Sequence, residues 1–326
     1  MGHRLLKAAI VSLAALCIGA PAQAQTTDYP TRPIRIIVSF GPGGGADIIG
    51  RIIAQSLQEK LGQPVVIENK PGAAGTLGNE MVANADKDGY TLGIMTAGQI
   101  IAATVSKSLR YDMLKAFDSV SLIGTASLMA VVRADHPANN VKELVAIAKK
   151  EPGKVVFASP GFGATQHFAA ELFKQTAGVD MLHVPYKSSP QAIAAVLGGE
   201  VTVLFDTVSA LLGQVQGGKM KALAVTGKDR FYAVPNVPTA IESGVLPGYD
   251  VTTWYGVFTT RGTPPAVVAK LNKTINDALK EEAVQKRLQA AGIVVQGSTP
   301  QEFEKFQADE FARWNKVREA GNIAQN

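Results

Sequence analysis

Cysteine is almost absent: Cys17 is the only one in 326 residues. No intramolecular disulfide and no cysteine-built metal centre can form. The four histidines show no His-Glu-x-x-His or comparable ligand spacing, so no metal and no cofactor are expected. Charge is sparse, at 18% of residues, and no five like charges occur in a row, although the net charge is +5. Aromatics make up only 6% and do not interleave with a basic stripe, so nucleic acid is not an expected partner. Beyond the N-terminal segment no run of about 18 apolar residues exists, which excludes a membrane-spanning helix there. What is present is ordinary for a globular chain: 46% hydrophobic residues and 32 glycines. Disorder, collagen and coiled coil are thereby excluded, and the length suggests two domains.

Residues 1–24 read as a secretory signal. Arg4 and Lys7 supply charge, and Ile10 to Ile18 is an apolar core too short to span a bilayer. Pro21 precedes Ala22-Gln23-Ala24, a small-x-small cleavage site. Leu16 stands where a lipidation motif needs a small residue, so cleavage after Ala24 is expected rather than lipid attachment at Cys17. Removing 24 of the 326 residues leaves 302, without cysteine. Two of 32 basic and none of 27 acidic residues go with them, leaving +3. The expected location is the periplasm.

Short apolar runs then alternate with amphipathic stretches. Ile34 to Phe40 suits a buried parallel strand. Ile48, Ile49, Ile52, Ile53, Leu57 and Leu61 recur at helical spacing, and Gly62 supplies a stop. Strands follow at 64–68 and 90–95. Asn140 with Glu143 starts a helix. Strand 155–158, helix 165–177, strand 181–185, a helix opened by Ser189-Pro190, strand 201–205, helix 208–216 and strand 221–226 continue the pattern. The tail adds a strand at 251–259, a helix from Thr263-Pro264 through Leu279, and a last helix capped by Thr299 and Glu302. This alternation predicts parallel sheets with helices on both faces. No linker is visible, so two domains would be joined by continuous strands.

Three strand-to-helix loops carry the chemistry. In Phe40-Gly41-Pro42-Gly43-Gly44-Gly45-Ala46-Asp47, glycines let backbone N–H groups face outward at a helix N-terminus, which makes an anion site. Gly41-x-Gly43-x-x-Ala46 also fits a dinucleotide fingerprint, with Glu68 placed as a ribose acceptor. An oxidoreductase is therefore an alternative, although Pro42 and the extra Gly45 are atypical and an exported chain meets little NAD. The loop Asn69-Lys70-Pro71-Gly72-Ala73-Ala74-Gly75-Thr76 repeats the device with a hydroxyl at Thr76. Neither loop offers an arginine; Arg51 lies one turn into the helix, where Asp47 is a partner. Backbone amides without guanidinium suit a carboxylate better than a polyphosphate, and capture better than catalysis.

The third loop, Ser159-Pro160-Gly161-Phe162-Gly163-Ala164-Thr165-Gln166-His167, places hydroxyls on another such turn. With Asp206, it also permits a Ser159/His167/Asp206 hydrolase. Against that, Phe157 stands where a nucleophile elbow needs glycine, and the chain order matches no familiar triad. Asp206 ends a strand. It either caps the next helix or accepts a hydrogen bond from a ligand's amine, hydroxyl or protonated acid. Phe40 and Phe162 give the cleft apolar walls.

These residues together resemble the substrate-binding proteins of the tripartite tricarboxylate transporter family, the Bug receptors. The resemblance rests on Tyr29-Pro30-x-Arg32-Pro33-Ile34-x-Ile36-Ile37-Val38, on Pro42-Gly43-Gly44-x-x-Asp47-x-x-x-Arg51, and on Val66-x-Glu68-Asn69-x-x-Gly72-Ala73-x-Gly75. It continues through Asp88-Gly89-Tyr90-Thr91-Leu92, Ser159-x-Gly161-x-Gly163-x-x-x-His167, His183-Val184-Pro185-Tyr186-Lys187 and Asp206. It implies an α/β, two-domain periplasmic binding protein of type II, a Venus flytrap with its ligand cleft between doubly wound domains. Residues 25–125 with 252–326 would form domain one, and 126–251 domain two. It implies no enzyme but a monomeric receptor for a small mono- or dicarboxylate, serving an integral-membrane transporter or a sensor. The ligand would meet Phe40, Pro42, Gly43, Gly44 and Asp47 in the first loop, and Ala74, Gly75 and Thr76 in the second. Ser159, Phe162, Gly163 and Thr165 would face it from the third, with Asp206 opposite. Pro160, Phe162 and Ser188-Ser189 depart from the family pattern, and Phe162 favours an aromatic or extended acid.

Overall fold

A computed structural model describes residues 28–72 and 75–325. The expected signal segment and its cleavage site, and Ala74 of the second loop, lie outside the described residues. Contacts divide the chain into residues 1–31 and 32–326; the first unit is described only at 28–31, where the Tyr29–Pro30 peptide bond is cis.

In the second unit the strands are β1 (Ile34–Val38), β2 (Val65–Asn69), β3 (Thr91–Thr96), β4 (Phe117–Arg133), β5 (Val155–Ser159), β6 (Met181–Pro185), β7 (Val203–Thr207), β8 (Met220–Val225), β9 (Thr252–Thr260) and β10 (Val294–Val295). The helices are α1 (Gly45–Leu61), α2 (Thr76–Ala83), α3 (Ala97–Val105), α4 (Val141–Lys150), α5 (Thr165–Ala177), α6 (Ser189–Gly198), α7 (Val208–Gln216), α8 (Pro265–Leu279), α9 (Glu282–Ala290) and α10 (Pro300–Ala320).

The strand order is β2-β1-β3-β9-β4-β7-β5-β6, with β8 and β10 also on β4. The outer strands are parallel, β1 with β2 and β3, and β5 with β6 and β7. The middle differs from the all-parallel expectation: β9 runs antiparallel to β3 and β4, and β4 antiparallel to β7 and β8. The physical reason is β4 itself. Over 117–127 it pairs with β9, and over 128–133 with β7 and β8, so one strand serves both parallel sets. Its register with β9 shifts at Ser119/Ser121 and again at Leu122/Gly124, as bulges do.

Local chemistry explains the boundaries. Ile34, Ile36, Ile37 and Val38 are buried because β1 is covered on both faces. Along α1, Ile49, Ile52, Ile53 and Leu57 form the buried stripe while Ile48 stays exposed, and Gly62 closes the helix in the left-handed conformation. Asn140 accepts from the Glu143 N–H, and Thr299 with Glu302 makes a full capping box. One large core cluster runs from Ile37 and Ile100 through Phe157, Phe168 and Phe173 to Trp254, Phe258, Phe303 and Trp314, and a second gathers Met129, Val131, Val196, Leu204, Leu211 and Phe231. Helix α10 packs on β4, α3 and α5, and so touches helices that follow strands of both parallel sets.

Candidate functional site

The loop between β1 and α1 is organised by one carboxylate. Asp47 is buried, and its Oδ2 accepts from the Gly43 N–H and from Arg51 Nε, each at 2.9 Å. Its Oδ1 accepts from Asn69 Nδ2 at 2.9 Å, and the same amide also reaches the Phe40 carbonyl at 3.0 Å. Burial opposes the charge, but the bonds from Arg51, Gly43 and Asn69 together hold the carboxyl below the ordinary carboxylate range. Asp47 thus spends its acceptors inside the loop and ties it to β2. Pro42, Gly43 and Gly44 are exposed above this anchor. Gly44 is the N-cap of α1 and supplies no side-chain cap; the Asp47 N–H turns back to the Gly44 carbonyl at 3.0 Å, and the Gly45 and Ala46 N–H groups precede it at the helix start.

The second loop is locked against the first. Gly75 has φ +90°, and a Cβ there would meet Gln99 Cγ at 2.9 Å and the Phe40 ring at 3.0 Å; only glycine fits. Gln99, fully buried, donates to Asn79 Oδ1 at 2.8 Å and accepts from the Thr96 N–H at 2.7 Å. Ser39 Oγ also donates to Asn79 Oδ1, at 3.2 Å. Helix α2 starts at Thr76 with Gly75 as an N-cap that makes no side-chain bond. The helix α3 that carries Gln99 begins beside it, and a Cβ on Gly98 would lie 3.7 Å from Thr165 Oγ1. Thr165 is the first residue of α5, whose N-cap Ala164 also lacks a side-chain bond. Gly163, at φ +77°, packs near Val105 of α3. Three helix starts are therefore linked by contact around one region.

The hydrolase alternative needs His167 beside Ser159; the structure places His183 there. Ser159 is buried, and its Oγ donates to the Gly161 carbonyl at 2.9 Å while lying 2.7 Å from His183 Nε2. A hydroxyl that gives its one proton to Gly161 can only accept from His183, the reverse of what an activated nucleophile needs. His167 Nδ1 instead accepts from the Gly163 N–H at 3.2 Å. The two imidazoles stack at 3.9 Å, with Phe157 stacked on His183 at 4.7 Å. Burial, the neighbouring His183 and Lys174 push His167 down to about 3; burial and Lys174 push His183 down to about 4. Both rings are neutral at physiological pH and brace the third loop from beneath. Phe162, 40% exposed, lies over His167 at the surface. Glu68, the ribose acceptor of the dinucleotide reading, pairs instead with Arg35 and Lys70 at 3.5 and 3.6 Å.

Asp206 is not the helix cap: Thr207 holds that position in α7, without a side-chain cap bond. Asp206 is 1% exposed. Its Oδ1 accepts from Gln166 Nε2 at 2.9 Å and the Thr207 N–H at 2.8 Å, while Oδ2 has no partner. Burial raises its pKa against the pull of Ser189, Gln166 and Thr207. Tyr255 of β9 lies between Asp206 and the first loop. Its phenol is pushed up to about 12 by burial and by Asp206, and its hydroxyl abuts Gly45. Asn79, Gln99 and Tyr255 escaped the sequence reading, and Asn69, Gln166 and His183 stood in its loops and motifs without a role. Their signal was faint, each being one polar residue within or beside an apolar run.

A doubly wound α/β fold with shared central strands and uncapped helix starts defines a two-domain binding protein of the periplasmic class, not an enzyme. The chain belongs to the tripartite tricarboxylate transporter family of receptors, whose family description, "Tripartite tricarboxylate transporter family receptor", matches residues 49–323. It is 36% identical to Protein BugT of Bordetella pertussis over 321 residues, covering 98% of each chain. Rpa4515 of R. palustris, solved with adipate, superposes with a TM-score of 0.82 at 32% identity, covering 91% of this chain and 99% of that one. MatC of Rhodopseudomonas palustris, solved with bound malate, gives 0.78 at 32% identity, covering 89% and 99%. Among the described residues no helix is long and apolar enough to cross a membrane.

Proposed function

We propose that this receptor is exported to the periplasm, captures a small mono- or dicarboxylate and passes it to integral-membrane transporter subunits or a sensor. The supporting observation is the set of uncapped helix starts at Gly44, Gly75 and Ala164, tied together through Phe40, Gln99 and Thr165. Amides at helix N-termini favour an anion, and no lysine or arginine side chain is needed. In this reading residues 25–125 with 252–326 form one domain and 126–251 the other. Strands β4 and β9 lie at the hinge, and closure buries the acid between the three loops. Adipate and malate on two relatives agree with the ligand class. A micromolar Kd corresponds to about −8 kcal/mol, within reach of a few charge-assisted hydrogen bonds.

A thermal-shift screen of mono- and dicarboxylates tests this. At least one acid should raise Tm strongly, and Gly44→Leu should abolish that shift. A Cβ on Gly44 meets only the Gly41 carbonyl at 3.6 Å, so the variant should fold normally. Flat curves for every acid, or undiminished binding by Gly44→Leu, would overturn the reading.

A further inference from the structure

The buried carboxylate of Asp206 is half-satisfied. Oδ1 receives two donors, from Gln166 and from the Thr207 N–H. Oδ2 has no hydrogen-bond partner, although the nearby Ser189 hydroxyl pulls the pKa of the carboxyl down, and among the described residues Asp206 forms no ion pair. A buried carboxylate oxygen without a donor is costly unless something supplies one. The position says what supplies it. Asp206 is the penultimate residue of β7, which lies next to β5, whose end opens the third loop, and Gln166 follows Thr165 in the first turn of α5. Tyr255 lies near Asp206 and sets its hydroxyl against the start of α1. Asp206 thus neighbours the third loop through Gln166 and the first through Tyr255.

Resting on the receptor reading above, we infer that the captured acid carries a hydrogen-bond donor, an ammonium or a hydroxyl, that Asp206 Oδ2 receives. One end of the ligand is a carboxylate met by helix amides, and the donor sits away from it. With Asp206 ionised, a plain acid leaves Oδ2 unsatisfied and a second carboxylate set against it adds repulsion; a protonated Asp206 would instead donate to that carboxylate, so a wild-type preference for succinate overturns the inference. A site built to bond a donor rejects the analogue that lacks one far more strongly than an apolar wall rejects a missing methylene.

Calorimetric titration of the wild-type protein with matched acids tests this: butanoate, succinate, 4-hydroxybutanoate, 4-aminobutanoate, malate and aspartate. A donor-bearing acid should bind at least about tenfold tighter than the plain acid of equal length. Asp206→Asn keeps an oxygen for Gln166 and Thr207 but turns the open position into a donor. It should remove that preference or invert it towards succinate. A merely structural role would weaken all acids alike. Equal affinity of plain and donor-bearing acids, or uniform weakening in D206N, overturns the inference and leaves the receptor reading intact. Absence of binding by these acids together with flat curves for every acid of the thermal-shift screen overturns both. The wild-type series stands on its own should D206N fail to fold.

Discussion

The hydroxyl of Tyr255 stands so close to Gly45 that a Cβ there would lie 2.6 Å from it. Tyr255 belongs to β9 and is packed in the interior, so its ring sets where α1 begins. Gly45→Ala should therefore cost about 1–3 kcal/mol. Tyr255→Phe in the same chain should return much of this, since the next ring atom, Cζ, is 3.4 Å from that position. Urea denaturation of the four proteins of the cycle measures the coupling; strictly additive effects would contradict the contact.

Asp47 links acid sensitivity to the first loop. Its carboxyl titrates below the ordinary range when folded, so its contribution is present above the unfolded pKa and lost as pH falls through the folded value. Asp47→Asn should destabilise by about 1–2 kcal/mol at pH 7. The gap from wild type should close as the pH falls through the acid range below the ordinary carboxylate pKa. Urea midpoints across that range provide the check, and a gap that stays constant rejects it.

The stacked imidazoles act with the same sign at milder pH. His167 and His183 are held neutral at folded values of about 3 and about 4, so the unfolded chain binds more protons below its ordinary histidine pKa. Stability should fall as pH drops from 7 to 5, by up to about 2 kcal/mol per imidazole. The double variant His167→Gln, His183→Gln should show a flatter profile over that window. An unchanged slope would mean that other groups set it.

Glu310 joins the two tryptophans of the chain. Its Oε2 accepts from Trp254 Nε1 at 3.0 Å and Trp314 Nε1 at 2.9 Å, tying β9 to α10. Glu310→Ala leaves two buried indole N–H groups without that acceptor and should cost about 2–3 kcal/mol, with a change in intrinsic tryptophan emission. Glu310→Gln, which keeps an acceptor, should cost less. Equal losses in both variants would exclude the acceptor role.

Much of the fold was legible because local chemistry marks it. Gly62, the Asn140–Glu143 pair and the Thr299–Glu302 box lie where the helices start or stop. Strand β4 was missed. Seventeen residues long and studded with Asp118, Ser119, Ser121 and Gly124, it serves two sets of partners and shows no steady alternation. Helix α3 was missed for the opposite reason: Ala97 and Gln99 to Val105 are all buried, so no polar face marks a period. The glycine loops were visible because glycines cluster in sequence. The Gln99–Asn79 bond that secures one of them joins residues 20 apart on two different helices.

The sequence by itself determined the alternation of strands and helices, the three glycine-bearing loops, and the ordered motifs of a receptor family. All of these are encoded in short stretches of chain. Tertiary structure decided the partners. It put His183 rather than His167 on Ser159, turned Asp47 inward to hold its own loop, and left one oxygen of Asp206 open. Hydrogen bonds act over about 3 Å, and only folding brings residues 24 or 40 positions apart within that range.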